Sequence, residues 1–467
     1  MSDDQTAPEG SDRFDLLVLG GGSGGYACAL RAAELGMRVG LVEEDLLGGT
    51  CLHRGCIPTK ALLHAGEVAD AVRDAGQFGI AASIEGVDMA AVNTYKDGVT
   101  TRLYKGLQGL VKSRGITVIE GRGRLVGPNA VDVAGTRHEA ANVVLASGSY
   151  TRTLPGLDLD GERVIGSWEA LQLDRVPSRA VVLGGGVIGV EFASAWRSLG
   201  AEVTVIEALD RLVPAEDAAS SKALERAFRK RGIVFKTGTR FASVERTDDG
   251  VRVAVEAGET FDADVLLVAV GRGPNTDGLG YDEQGIAMDR GFVLTDARLK
   301  TSVDGVYAVG DIVPGLQLAH RGFQQGIFVA EEIAGLRPTA IDEDGIPRVT
   351  YCEPEVASVG LTEEQAKERH GADAVETLTY DLAGNGKSQI LKTQGFVKLV
   401  RVAGGPIIGV HMVGSRVGEL IGEAQLIFNW EAHAEDVASL IHMHPTQGEA
   451  LGEAHLALAG KPLHAHS

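Results

Sequence analysis

No apolar run in this chain reaches the length of a membrane span. The nearest candidate, around Val181 to Trp196, is broken by glycines and by Glu191. An excess of basic charge is missing as well. The formal charge is -20 and the pI about 5.1, which argues against nucleic acid or an anionic membrane as the main partner and leaves a basic protein surface compatible. The first thirteen residues are acidic and polar, hold a single arginine and contain no apolar signal core, so they read as a disordered tail. A cytoplasmic, reducing location follows. Cysteine is scarce too, with only four in 467 residues, and in such a compartment two neighbouring thiols are more readily catalytic than structural. Glycine is abundant at 63 residues, without collagen period, as suits α/β domains with many tight strand-to-helix turns. The length implies about three domains.

Two segments follow one plan. Phe14 to Leu19 is an apolar run ending in Gly20, Gly22 and Gly25, followed by an Ala/Leu-rich helical stretch and a second strand, Val39 to Val42, closed by Glu43. Ala180 to Leu183 leads into Gly184, Gly186 and Gly189, then a helix through Ser198, then Val203 to Ile206 closed by Glu207. In both copies the acid lies eighteen positions after the third glycine. This is the spacing of a dinucleotide site: glycines allow a tight turn and close backbone approach, the helix N-terminus receives the pyrophosphate, and the acid accepts hydrogen bonds from a ribose. The fold class expected is α/β, with two Rossmann-like dinucleotide-binding domains.

Between the copies, Gly48 to Lys60 reads GGTCLHRGCIPTK and places Cys51 and Cys56 five positions apart. Residues i and i+5 of a regular helix are separated by roughly 7.5 Å of rise and point apart, beyond disulfide reach. The chain is therefore distorted here, and Gly55 and Pro58 supply the distortion. Lys60 and a nearby helix N-terminus would favour a thiolate. The spacing alone fits two inert buried thiols equally. If the pair is a redox dithiol, it needs a two-electron partner that accepts from sulfur, and flavin does this where nicotinamide does not. The first unit is then expected to hold FAD and the second a nicotinamide nucleotide. Glu207 favours NAD, since a carboxylate there would repel a 2′-phosphate, although Arg211 lies close.

Further along, Val306 to Asp311 is a buried strand ending in Gly310-Asp311, where the aspartate could bond the ribityl or pyrophosphate part of a flavin or act as a turn residue. Leu316 to Ala330 reads as a helix whose N-terminus could face a flavin. Extended runs at Arg348 to Gly360 and Phe396 to Met412, with a Gly404-Gly405-Pro406 turn, are followed by helical patterns over Arg416 to Trp430 and Ala434 to His442, an α+β arrangement. His444 precedes a proline, so its backbone is pushed out of the preceding helix. Glu449 lies within reach to orient its ring as that of a general base, while Thr446 and Glu449 also match a capping box. Zinc held by His442, His444 and His455 lacks nearby cysteines, and no metal is expected; His464 and His466 read as a solvated tail.

With both nucleotide units, GGTCLHRGCIPTK and HMHPTQGE in this order, the sequence resembles the flavoprotein disulfide reductases from Phe14 to Leu463, including Leu318-Ala319-His320. The resemblance implies a homodimer in four segments: 1–150 and 277–345 for FAD, 151–276 for NAD, and a C-terminal α+β dimerisation domain over 346–467. It implies that Cys51 is the interchange thiol and Cys56 the flavin-proximal one, joined as a redox disulfide, and that His444, oriented by Glu449, is a base supplied by the other subunit. Lys60 and Glu191 match an ion pair near the flavin. Gly49, Thr50, Ser147, Gly148 and Ala319 fall among flavin contacts, and Glu191 and Gly271 among those to NAD. Within the family the motifs sit nearest the members that oxidise protein-bound dihydrolipoamide with NAD, serving 2-oxoacid dehydrogenase or glycine cleavage complexes. NADPH-linked reductases of the glutathione type would need phosphate-binding arginines in place of Glu207, and mercuric and large thioredoxin reductases a C-terminal cysteine pair. A non-catalytic scaffold of the same fold is the remaining alternative. His53 and Arg54 stand where many relatives carry Asn-Val, and Ser147 where threonine is usual.

Overall fold

The computed structural model describes residues 13–464 and divides into two compact units. One comprises the chain up to Pro58 with Lys96–Thr151 and Arg272–Ile341; the other comprises Thr59–Tyr95, Arg152–Gly271 and the chain from Asp342 onward.

In the first unit the sheet runs Thr117–Glu120, Val39–Glu43, Phe14–Leu19, Thr136–Leu145, with Val306–Ala308 parallel to the last of these. Phe14–Leu19 lies between two parallel neighbours, and Leu16, Leu17 and Val18 are fully buried, as a strand covered on both faces requires. Helices Ser23–Glu34 and Ala319–Ile333 pack so closely that a Cβ on Gly326 would lie 2.2 Å from the Gly24 carbonyl oxygen. The second of these helices begins three residues later than the sequence suggests, because Pro314 and Gly315 open an irregular segment first. Arg13, read as part of a tail, donates to the Ala140 carbonyl at 3.1 Å. The twelve residues before it lie outside the described part, as does His466.

The second unit repeats the plan. Its parallel sheet runs Val234–Lys236, Glu202–Ile206, Arg179–Leu183, Val265–Val268, Val164–Ile165. A separate five-stranded antiparallel sheet, in the order Arg348–Thr350, Glu355–Gly360, Ile407–Gly414, Phe396–Val402, Val375–Asp381, carries helices Val417–Asn429 and Glu449–Leu458 over a core of Val359, Leu399, Val410 and Met412. His464 is not simply solvated, since its backbone N–H and ring both bond Glu453, at 3.0 and 2.9 Å.

Two imidazoles are entombed in this unit. His411 bonds the Leu361 carbonyl through Nε2 at 2.8 Å, and its Nδ1 is buried without a partner; His455 bonds Leu451 through Nδ1 at 2.6 Å and leaves Nε2 likewise. A ring nitrogen facing a carbonyl must carry a proton, and the other nitrogen has no partner that would favour a second one. Burial pushes each pKa down to about 4, for His411 against the pull of the Asp217 carboxylate and together with the push of Arg348 and Lys398. On acidification the unfolded chain takes up these protons first, so stability present in full above the usual histidine range is lost as pH falls toward 4. Glu355, raised to about 7 by burial, opposes this over part of the same range. A His411→Gln variant therefore isolates one group. Between pH 7 and 5 the wild type should lose about 2 kcal/mol more than the variant in urea unfolding, and parallel pH profiles would contradict this assignment.

Candidate active site

The two glycine turns are superposable in their internal logic. Gly20 and Gly184 have φ of +109° and +113°, and a Cβ on either would lie 2.3 Å from a carbonyl oxygen, of Ala146 and Ala269 respectively. A Cβ on Gly25 or Gly189 would come within 1.8 or 1.9 Å of the carbonyl of the first glycine. The middle glycine is different. At Gly22 the nearest atom would be 4.0 Å away and at Gly186 nothing lies within 4 Å, so these two leave open space at the start of helices Ser23–Glu34 and Val187–Leu199. Open space at a helix N-terminus is what a pyrophosphate group requires.

The paired acids also match. Glu43 accepts from the N–H groups of Gly21 at 2.7 Å and Asp45 at 2.9 Å; Glu207 accepts from Gly185 at 2.6 Å and Leu209 at 2.7 Å. Each carboxylate oxygen has one backbone donor and keeps a lone pair for a ribose hydroxyl.

In the first unit a cavity of about 190 Å³ is lined by Gly20, Gly22, Glu43, Gly49, Thr50, Ser147, Gly148 and Asn275 among others. It joins the glycine turn, the acid and the cysteine segment. Gly49, at φ +59°, is required there because a Cβ would sit 2.7 Å from Gly22 Cα. Ser147 donates to the Asn275 carbonyl at 2.6 Å and accepts from Tyr281 at 3.0 Å, so the hydroxyl common to serine and threonine is used internally. Asp311 accepts from Ser149 Oγ, which in turn accepts from Arg272 Nε at 2.7 Å. Ala319 is the first residue of its helix.

The distortion of the cysteine segment takes the form of a break. Helix Gly49–Arg54 ends at Gly55, at φ -146° and ψ -107°, and helix Cys56–Asp74 starts directly after it with Pro58 in its first turn. Both thiols are half-buried, whereas Cys28 and Cys352 are fully enclosed and burial pushes their thiols upward, Cys28 to about 12. Cys56 opens a nineteen-residue helix, where the dipole favours a thiolate. Two neighbours that sequence reasoning missed mark the site. Burial raises the Tyr26 phenol to about 12, with the charges of Cys51 and then Cys56 adding to the rise, and Arg272, lowered by burial, feels Asp311 and Cys56 in the opposite sense. Nothing in their local sequence distinguishes them.

In the second unit, Lys60 Nζ lies 2.8 and 3.0 Å from the two oxygens of Glu191, whose side chain is 3% exposed. The Tyr351 N–H donates to the same carboxylate at 2.9 Å and its ring lies 4.7 Å below the ammonium. Lys60 is thus committed to Glu191, the partner that the resemblance implied, and its ammonium is spent on a buried carboxylate. Gly271 has φ +107° and its carbonyl accepts from Arg152.

His444 Nδ1 is 2.8 Å from Glu449 Oε1, and its side chain is 75% exposed. The other carboxylate oxygen accepts from the Thr446 N–H at 2.8 Å. Partial burial raises the Glu449 carboxyl, but the Thr446 N–H and the His444 ring outweigh it and hold the pKa below the ordinary value. The expected capping box is only half formed, because the Thr446 hydroxyl turns to the Met443 carbonyl and Glu449 is itself the first helical residue. His442 goes to Glu423 at 2.8 Å and His455 to its own helix. Among the described residues no three His, Cys, Asp or Glu side chains gather where a metal could sit.

Two nucleotide units, two half-buried thiols on either side of the Gly55 break in the first, and a carboxylate-oriented histidine define a dithiol-linked dinucleotide oxidoreductase. Residues 14–326 match the pyridine nucleotide-disulphide oxidoreductase family and residues 346–455 match its dimerisation domain; the chain belongs to this family. It is 40% identical to a dihydrolipoyl dehydrogenase of Bacillus subtilis, over 97% of this chain and 99% of that protein, and 39% identical to a leghemoglobin reductase of Glycine max, over 98% and 90%. The crystal structure of LpdA from Mycobacterium tuberculosis superposes with a TM-score of 0.89 at 29% identity, covering 95% of this chain and 99% of that one. The cofactors of the family are FAD and NAD(H), and the dimerisation domain makes the chain a homodimer. The glycine cradles and paired acids fit two such dinucleotides.

Proposed function

We propose that the chain is a dihydrolipoyl dehydrogenase that oxidises protein-bound dihydrolipoamide with NAD as final acceptor. The observation that carries this reading is the half-buried thiol pair at a helix start, in the unit whose glycine turn and acid line a dinucleotide cavity. The sequence relatives named dihydrolipoyl dehydrogenase support the choice of substrate.

In this reading Glu449 accepts the Nδ1 proton of His444 and leaves Nε2 as the base. Nε2 takes the proton of a substrate thiol, and the resulting thiolate attacks Cys51 in a Cys51–Cys56 disulfide. The Cys51–Cys56 bond breaks as a mixed disulfide forms. The second substrate thiol then displaces Cys51, which releases lipoamide and leaves two reduced cysteines with Cys56 as the thiolate. Bound FAD supplies the two-electron relay from this dithiol to NAD. Gly20, Gly22, Gly25, Glu43, Thr50 and Asp311 would hold it, and Gly184, Gly186, Gly189 and Glu207 would hold NAD. The exposed position of His444, next to Ile441 at 97% and Met443 at 77% exposure, suits a base presented to the partner subunit of the homodimer. The acidic chain suits a lipoyl-bearing partner with a basic docking domain, as in 2-oxoacid dehydrogenase or glycine cleavage complexes.

A steady-state assay with dihydrolipoamide tests the reading, and the same assay tests Glu207. Turnover should be strong with NAD and at least tenfold weaker with NADP, because a 2′-phosphate would meet a carboxylate already fixed by two backbone donors. Equal rates with both nucleotides would overturn the assignment of Glu207, and turnover of glutathione disulfide with NADPH in place of dihydrolipoamide with NAD would overturn the proposed substrate.

A further inference from the structure

His53 and Arg54 make two ties between the cysteine helix and the loop behind the ribose acid. His53 Nε2 donates to the Leu47 carbonyl at 2.9 Å, and its ring meets Tyr104 edge-on at 5.0 Å. Arg54 forms an ion pair with Asp45, both side chains about half exposed. The Asp45 N–H in turn holds Glu43 Oε1 at 2.9 Å. Thr50, His53 and Arg54 are spaced i, i+3, i+4 on helix Gly49–Arg54 and all line the dinucleotide cavity together with Glu43 and Asp45. That wall carries three consecutive carboxylates, Glu43, Glu44 and Asp45, facing a ligand with a doubly charged diphosphate. Arg54 neutralises one of them where repulsion would otherwise act over a short distance.

We infer that His53 and Arg54 form a strap that fixes the acid-bearing loop to the cysteine helix and slows the loss of FAD, in a way that depends on salt through the Arg54–Asp45 pair. The inference rests on the assignment of FAD to the first unit. The double variant His53→Asn, Arg54→Val removes both ties. Release of FAD from the holoenzyme, followed by the rise of free-flavin fluorescence on dilution, should be about fivefold faster than in wild type, with most of the salt dependence gone. Arg54→Gln alone should speed release, and adding Asp45→Asn to it should recover part of the loss, because the repelling charge is then removed. Release rates within twofold of wild type in every variant would overturn the strap. So would an Arg54→Gln, Asp45→Asn double variant that releases flavin no more slowly than Arg54→Gln alone. Wild-type protein that holds no flavin at all would sink the assignment of FAD itself, a different outcome from either.

Discussion

Cys56→Ser protein should purify with FAD bound and yet turn over dihydrolipoamide at less than roughly a thousandth of the wild-type rate. The first half of this expectation follows from geometry. The glycine turn, Glu43 and the Ser147–Asn275 contacts make the cavity without using the Cys56 sulfur. The second half follows from chemistry, because a serine can neither form the disulfide that the substrate thiolate attacks nor leave as a thiolate from the helix start. Removal of a covalent participant leaves only the residual rate that binding and the other groups provide. Flavin content and turnover are read on the same preparation. Flavin-free protein would contradict the division of labour between cavity and thiols, and substantial turnover would contradict the role of Cys56.

His444→Gln should slow the thiol half-reaction by roughly 10²- to 10⁴-fold, the usual worth of a positioned general base. Glutamine keeps a polar side chain at the same corner but cannot accept and hold a proton. Glu449 should survive the change structurally, since its second oxygen remains bonded to the Thr446 N–H at 2.8 Å and it still opens its helix. Rapid-mixing measurement of flavin reduction by dihydrolipoamide separates this half-reaction from reoxidation by NAD, which the substitution should leave near wild type. Wild-type reduction rates would leave His444 with no part in proton transfer.

How much of this was legible in the sequence depended on whether local chain chemistry or a distant partner decides each feature. The glycine turns were legible because their cause is local: a Cβ on Gly25 or Gly189 collides with a carbonyl only five residues back. The break between the cysteines at Gly55 was legible for the same reason, as were the strands at Phe14–Leu19 and Arg179–Leu183, whose apolar runs answer to burial on both faces. Strand Val375–Asp381 escaped notice because it edges the last sheet and exposes Glu376, Thr377, Thr379 and Asp381, leaving only Val375, Leu378 and the buried Tyr380 turned inward without a regular alternation. Tyr26, Arg272 and the Tyr351 brace on Lys60–Glu191 escaped because their partners lie far along the chain, as the 160 positions between Tyr351 and Glu191 illustrate. The contact of His444 with Glu449 was legible through Pro445 and the five-position spacing, whereas the half-formed cap was not, because the Thr446 hydroxyl turns to the Met443 carbonyl.

Anaerobic titration of the purified holoenzyme with dihydrolipoamide goes straight to the central claim that sulfur at Cys51 and Cys56 exchanges electrons with a flavin. Addition of one equivalent should produce a long-wavelength absorbance band of thiolate against oxidised flavin, and Cys56→Ser protein should show none. Bleaching of the flavin without that band, or no spectral response to the dithiol, would contradict the account.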